Sequence, residues 1–400
     1  MTKVKIKTLT PVHIGSGVDL QSNIEYLFIN DKIGVIDDKK VLQVIGEENI
    51  NRWVSIINSK DNLLDYLRKR KNDIKLSDVA LREMDVYASD IGKNKTLKEQ
   101  LHSAKGFPMI PGSSIKGAIR TTVISYLIEK ETDRVKNIIN KKRSFLNSKG
   151  RKWDLRSFQE VESEILNQLL SNSFKPDANR NVFRFLQVTD SHFNYNTLVT
   201  NMQVLNLQNN EWRIKNGTDQ LTEIIGNDNE AEIRIKINSE LLNRNLNKKE
   251  IKSDVGFLKD IQSLFEIVNN HTKLLIQKEI DIWGKMEKDY PNELIDWYLE
   301  TLNDCLDEAE SCKENEAVIR IGGGSGWDNI TGAWAKHNKE LFNDNEWEKL
   351  SNLLNKNRKV SYFPKTRKID ESGDVLGFIK LTALQKTTNA GKNSPNKIGN

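Results

Sequence analysis

The sequence predicts an α+β fold, most simply antiparallel sheets covered by helices on one side. Three observations carry this expectation. Short runs alternate apolar and polar residues, as in Val4 and Ile6 against Lys3, Lys5 and Lys7. Other runs repeat apolar residues every three or four positions, as in Ile115, Ile119, Val123 and Leu127. The two kinds interleave along the chain with no fixed-period repeat.

Residues 3–9 read as the first strand, followed by the loop Thr10-Pro11-Val12-His13-Ile14-Gly15-Ser16-Gly17. Ile24–Ile29 and Ile33–Ile36 form a hairpin turning at Asn30-Asp31-Lys32. Helical periodicity runs over 41–72 through Trp53, Ile56, Ile57, Leu63, Leu64 and Leu67. The stretch 73–104 is less regular and reads as an excursion from the core. Ser113 or Ser114 then caps the helix that carries Ile115 to Leu127, and a charged helical region continues to about Leu170. Phe183–Val188 and Leu198–Leu207 look like strands, and Ile233, Ile235 and Ile237 alternate with Arg234 and Lys236 as a half-buried strand with a basic outer face. From Asp254 to Glu316 the chain is mostly helical, broken at Pro291. It returns to a strand at Ala317–Ile321, and Val375–Leu381 is the last strand; the tail beyond Thr387 is too poor in apolar residues to fold.

Composition sets bounds on function. The 400 residues, 37% hydrophobic and 29% charged, are enough for two or three domains or one elaborated core. No apolar run approaches the ~18 residues of a membrane span, and the first residues alternate like a strand where a signal peptide would be continuously apolar. Cys305 and Cys312 stand seven apart without a CxxC, which argues against a disulfide framework and a zinc cage. The expectation is a cytoplasmic protein with reduced thiols, no metal and no cofactor. A net charge of only +5 hides strong segregation. Nine Lys or Arg and the single acid Asp154 lie between Arg134 and Arg156, whereas Pro291–Glu316 holds nine acids and only Lys313. From Leu353 onward ten basic residues face three acids. Each run could be no more than a solvated face, but basic tracts beside glycine loops favour a polyanionic partner.

Three constellations could carry that partner. In His13-Ile14-Gly15-Ser16-Gly17, two glycines let backbone N–H groups converge as a phosphate nest; the plain alternative is a turn. In Ile110-Pro111-Gly112-Ser113-Ser114-Ile115-Lys116-Gly117-Ala118-Ile119-Arg120, a helix N-terminus has Lys116 and Arg120 on one face, an anion site by dipole and charge. Gly117 there would admit a close backbone. The alternative is a capped amphipathic helix. In Arg320 to Trp327, Gly322, Gly323, Gly324, Ser325 and Gly326 leave little side chain between backbone and ligand, Trp327 offers a stacking face and Arg320 a charge. Lys365, Arg367 and Lys368 form a weaker fourth group.

Several enzyme signatures fail. Neither glycine cluster supplies the lysine of GxxxxGK[ST], and GxGxxG, GxSxG and HExxH are all unmet. The five histidines are scattered, and the RNP1 pattern that starts at Lys105-Gly106-Phe107 breaks at Pro108. Glycine loops with cations remain, without an evident nucleophile.

Together the three loops resemble the RAMP superfamily of CRISPR proteins, which has a HIGSG-type loop, a PGSS-x-KG-x-x-R helix start and a late glycine-rich loop in this order. GGGSGW at 322–327, PKTRK at 364–368 and LGFIKL at 376–381 are most similar to the subunits named fifth in the type III-A Csm complex. The resemblance implies a ferredoxin-like (RRM-like) core, possibly duplicated, with a large helical insertion. It implies an N-terminal RAMP core over 1–130 with a thumb-like excursion near 73–104, a basic helical insertion with intervening strands over 131–315, the C-terminal part of the core over 316–386, and a disordered tail over 387–400. It implies crRNA as ligand, held in its 3′ part, with the other Csm subunits, above all the repeated backbone RAMP subunit, and trimming nucleases as partners in crRNA maturation and antiviral defence. RNA contacts would fall at His13 to Gly17, Ser113 to Arg120 and Gly322 to Trp327, with no catalytic residue. Two rivals stay open: a metal-independent endoribonuclease using His13 as acid or base, and a sugar-phosphate enzyme using Gly322 to Gly326.

Overall fold

Alternation of apolar and charged residues builds the central sheet. In the computed structural model, which describes residues 1–59, 61–91, 96–151, 153–171, 181–208, 211–252, 255–289, 293–354 and 364–384, strand β1 (Thr2–Thr8) buries Val4 and Ile6 completely. Its lysines face outward. The chain then forms β2 (Gly15–Gln21) and the hairpin β3 (Tyr26–Ile29) and β4 (Lys32–Ile36). The hairpin turns through Asn30 and Asp31, both at positive φ, as a two-residue turn of right-handed strands requires. The helical stretch 41–72 resolves into α1 (Asp38–Ile45), α2 (Ile50–Ser59) and α3 (Leu63–Arg70), which share a small core of Val41, Ile45, Trp53, Ile56, Leu63 and Leu67.

The stretch 73–104 supplies two strands, β5 (Ala80–Tyr87) and β6 (Thr96–Gln100). Their charged residues obscured the alternation, since only Ala80 and Met84 of β5 are fully covered. After β7 (Met109–Ile110) come α4 (Gly112–Lys130), α5 (Thr132–Ser148) and α6 (Leu155–Leu170). Next are β8 (Leu186–Val188), β9 (Ser191–His192), β10 (Leu198–Gln208), β11 (Glu211–Ile214), β12 (Gln220–Ile224) and β13 (Glu230–Ile237). Helices α7 (Ser239–Asn247), α8 (Ile261–Asp289) and α9 (Glu293–Glu310) lead to β14 (Glu316–Arg320). The chain closes with α10 (Trp334–His337), α11 (Asp344–Leu354), β15 (Thr366–Ile369) and β16 (Phe378–Ala383). Pro291 and the tail 387–400 lie outside the described residues.

One sheet is antiparallel throughout, in the order β14-β16-β1-β13-β8. Strands β8 and β13, from within 131–315, flank β1 on one side, so that stretch is woven into the sheet. The outer face of β13 is not simply basic: Glu232, Glu230 and the nearby Asp228 pair with Lys3, Lys5 and Lys7 at 3.2, 2.9 and 2.8 Å. Helices α4 and α8 lie against the strands and α5 and α6 pack on α4, around one core that includes Val4, Ile6, Ile233, Ile235, Ile319 and Leu381. The second sheet runs β2-β6-β12-β10-β5-β4-β3, with β11 and β15 also paired to β10. It is mixed, because β5 lies parallel to β10 and β6 parallel to β12. Among the described residues no helix is long and apolar enough to cross a membrane.

This topology places the candidate loops. β1 and β14 are both antiparallel to β16, which lies between them, so they run in the same direction. Their C-terminal ends therefore emerge at one edge of the sheet, one leading into His13–Gly17 and the other into Gly322–Gly326.

Candidate nucleic-acid interface

Gly15, Ser16 and Gly17 belong to strand β2, where a loop was expected, and this first glycine segment forms one surface with the third glycine loop. The Gly323 N–H donates to the His13 carbonyl oxygen at 2.8 Å. Gly322 sits at φ +77°, and a Cβ there would stand 2.5 Å from that same carbonyl, so the close approach requires glycine. The His13 ring is 8% exposed and wedged between Gly15 and Gly323. Its Nδ1 lies 2.8 Å from the Glu223 carbonyl oxygen; a carbonyl only accepts, so Nδ1 carries the proton in the neutral ring. Burial lowers the proton affinity of His13; the hydrogen bond to the Glu223 carbonyl and the Glu223 charge offset this in part, and the charges of Lys368 and Lys98 add to the lowering. Gly17 and Gly326 are exposed, with open space where a side chain would project.

A buried polar network holds the first loop from below. Ile14 N–H donates to Gln100 Oε1 at 2.8 Å, and Ser16 Oγ donates to Glu99 at 2.8 Å. Arg82 bridges Glu99 at 2.9 Å and the fully buried Glu223 at 3.0 Å. Glu223 also accepts from Thr197 Oγ1 at 2.5 Å and the Gln100 N–H at 3.1 Å, and His102 Nε2 lies 3.3 Å away. A buried carboxylate with this many donors is compensated. No local motif marks Arg82, Glu99, Gln100 or Glu223, because the network draws on five separate segments, at Ile14–Ser16, Arg82, Glu99–His102, Thr197 and Glu223.

The third loop is braced by residues expected to face the ligand. Arg320 is 8% exposed, donating from Nε to the Leu376 carbonyl at 2.8 Å and from its terminal NH2 to the Gly324 carbonyl at 3.2 Å, and it lies over the Phe378 ring. It holds the loop and does not present charge outward. Ser325 is buried, and half-buried Trp327 lines a cavity beneath the loop with Glu279, Arg320 and Arg367.

Arg367 is also turned inward. It pairs through Nε and at 2.8 Å through its terminal NH2 with Glu279, and lies 5.1 Å from the Trp283 ring centre. Burial alone would push Glu279 up, but Arg367 and the Tyr298 hydroxyl, at 2.6 Å, bring it below its ordinary range. Strand periodicity explains the reversal: Arg367 and Ile369 of β15 point in, Thr366 and Lys368 out. Lys368 is therefore the exposed cation of this strand, with no ion pair among the described residues. Lys365 is half-buried just before it.

The α4 site differs in detail. The cap is Pro111, without a side-chain hydrogen bond, and neither Ser113 nor Ser114 caps the helix. Instead Asp190 Oδ1 accepts from the Gly112 N–H at 2.8 Å. Gly112 presses so closely on β8 that a Cβ would stand 2.2 Å from the Val188 carbonyl, whereas Gly117 faces open space. Arg120 is tied at 3.0 Å to Glu162, a 2%-exposed carboxylate that also accepts from the Gly332 N–H and Trp334 Nε1. Lys116 is different: half-buried, with no ion pair among the described residues and a proton affinity lowered by burial. Ser113 stays exposed.

Exposed glycine backbone with Lys116 and Lys368 suits a phosphate chain. The profile of the RAMP superfamily matches residues 5–327. The chain belongs to that superfamily. Across 96% of its length it is 24% identical to the CRISPR system Cms protein Csm5 of Methanocaldococcus jannaschii, covering 89% of that protein. It is 29% identical over 140 residues to the Streptococcus thermophilus protein of the same name, which is 31% of this chain and 38% of that one. The same fold occurs in a chain of a cryo-EM structure of a Csm–crRNA–target RNA ternary complex of a type III-A CRISPR–Cas system, with TM-score 0.69, 18% identity and coverage of 95% and 100%. It occurs again in the crystal structure of T. onnurineus Csm5, with TM-score 0.63, 18% identity and coverage of 94% and 99%.

Proposed function

We propose that this RAMP protein is a non-catalytic, cytoplasmic subunit of a type III-A CRISPR effector complex that holds the 3′ part of the crRNA, next to the repeated backbone RAMP subunit. The observation that carries the reading is the joining of the two glycine loops into one backbone-rich face at the end of the central sheet. Backbone and lysine contacts grip sugar and phosphate and read little sequence, which suits a guide whose sequence varies. The ferredoxin-like reading finds support in the order β16-β1-β13-β8, reached through β1, α4, β8, β13, α8 and β16, with β14 added at the edge. Support of crRNA maturation by placing the 3′ end before trimming nucleases follows from the same position.

His13 serves the loop as a positioning residue, since its ring is enclosed and one nitrogen is bound to the backbone. The test is a salt titration of the full-length chain with labelled crRNA in EDTA. Intact RNA is expected, bound with an affinity that falls with salt. In Lys116→Ala and in Lys368→Ala the slope of log affinity against log salt should flatten by about 0.7 for each lost phosphate contact on a single strand. RNA cleavage that disappears in His13→Ala would overturn the non-catalytic reading.

A further inference from the structure

The basic tract 134–156 has no role in the loop face, and its structure is specific. Helix α5 buries Val135, Ile138, Ile139 and Leu146. Its exposed side carries Lys136, Lys141, Phe145 and Lys149, and the chain continues through Gly150, at φ +61°, to exposed Arg151. None of these four cations has an ion-pair partner among the described residues. Phe145 is 49% exposed, with Lys142 5.2 Å from its ring centre. Beside the ring, α5 and α6 line an open pocket of about 310 Å³ formed by Ile138, Lys141, Lys142, Phe145 and Val161, with Glu160 and Glu164 among the residues that complete it. Its acids are engaged: Glu160 with Lys142 and with Arg156 at 3.2 Å, Glu164 with Gln168 Nε2 at 2.6 Å.

We propose that this face of α5 is a second contact surface for single-stranded RNA, with one base seated against Phe145 in the α5–α6 pocket and the flanking phosphates on Lys141 and Lys149. The pocket is at the small end of ligand sites, the right scale for a single base. Aromatic stacking beside cations is the way single strands are held without sequence preference. Other partners fit less well. A lysine-rich patch with one aromatic lacks the apolar core of a protein interface, and one exposed Phe on α5 is too little apolar surface for a membrane-lying helix. The proposal rests on the reading of the chain as an RNA-holding subunit and extends it to a separate face.

The test uses the full-length chain with a labelled eight-nucleotide oligouridylate, photocross-linking and a salt titration. The expected result is a cross-link within 136–151 that survives Lys116→Ala. Lys141→Ala/Lys149→Ala should flatten the salt slope by about 1.4, and Phe145→Ala should weaken binding about fivefold or more. All three side chains are solvent-facing or half-exposed, so an unchanged melting midpoint verifies the fold. Unchanged affinity and slope in the α5 variants, with loss in Lys116→Ala, would overturn the α5 surface and leave the loop reading standing. Absence of any oligouridylate binding would overturn both. Anionic vesicles or an acidic peptide displacing nothing from the cross-link would support RNA; preferential capture of either would count against it.

Discussion

The Gly323 N–H donates to the His13 carbonyl oxygen across 2.8 Å, joining two loops 310 residues apart in the chain. Because Gly322 stands at positive φ with no room for a Cβ, Gly322→Ala should separate the loops. The expected cost is about 1–3 kcal/mol of stability, with weakened RNA binding. Gly117→Ala is the contrast in stability: in an exposed helix interior where a Cβ meets open space, it should stabilise by about 0.5–1 kcal/mol. Chemical denaturation with parallel binding titrations checks both.

Arg367 and Lys368 should part company when mutated. Arg367→Ala leaves Glu279 as an unpaired buried carboxylate, at a cost of about 3–5 kcal/mol, read as a large fall in the unfolding midpoint. Lys368→Ala should leave that midpoint within about 0.5 kcal/mol and weaken RNA binding.

Lys116 and Arg120 should separate in the same way. Arg120→Ala strips a cation from the buried Glu162 carboxylate and should destabilise the contact between α6 and the 332–334 turn. Lys116→Ala touches no ion pair and should act on RNA affinity alone. Melting curves and salt titrations of the two variants decide this.

Asp370 gives a pH-dependent stability. Burial, and then the charge of Asp374, raise its pKa from 3.8 to about 6. The folded protein therefore holds a proton that the unfolded chain has lost between these values, so this group makes stability fall as pH rises through that window. Asp370→Asn keeps an oxygen for the Ser372 and Asp374 N–H groups. It should stabilise by about 1–3 kcal/mol above pH 6, with the gain vanishing below about pH 4. Denaturation at pH 4, 5, 6 and 7.5 measures it.

The sequence disclosed much of this architecture through periodicity. Val4 and Ile6 against three lysines marked β1, and Ile115 to Leu127 marked α4, because side-chain direction there follows directly from local geometry. β5 and β6 carry no clear alternation because they are covered only in part, so charged residues interrupt the pattern. The glycine loops were legible as motifs, but their joining depends on β16 lying between β1 and β14, a relation between distant segments. Arg120, Arg320 and Arg367 show the limit most clearly. A cation beside a glycine motif looks the same in sequence whether it meets a ligand or a buried Glu162 or Glu279. In β15 the correction was available locally, since a period of two that buries Ile369 also buries Arg367 and exposes Lys368.

A guide-holding role requires RNA to lie across the joined loops. Cross-linking mass spectrometry on the assembled complex, with 4-thiouridine placed in the 5′ or the 3′ portion of the crRNA, tests this most directly. Cross-links are expected from the 3′ portion to peptides containing His13–Gly17 and Gly322–Trp327, and none from the 5′ portion. Cross-links from the 5′ portion to these loops, or 3′ cross-links confined to other surfaces of the chain, would contradict it.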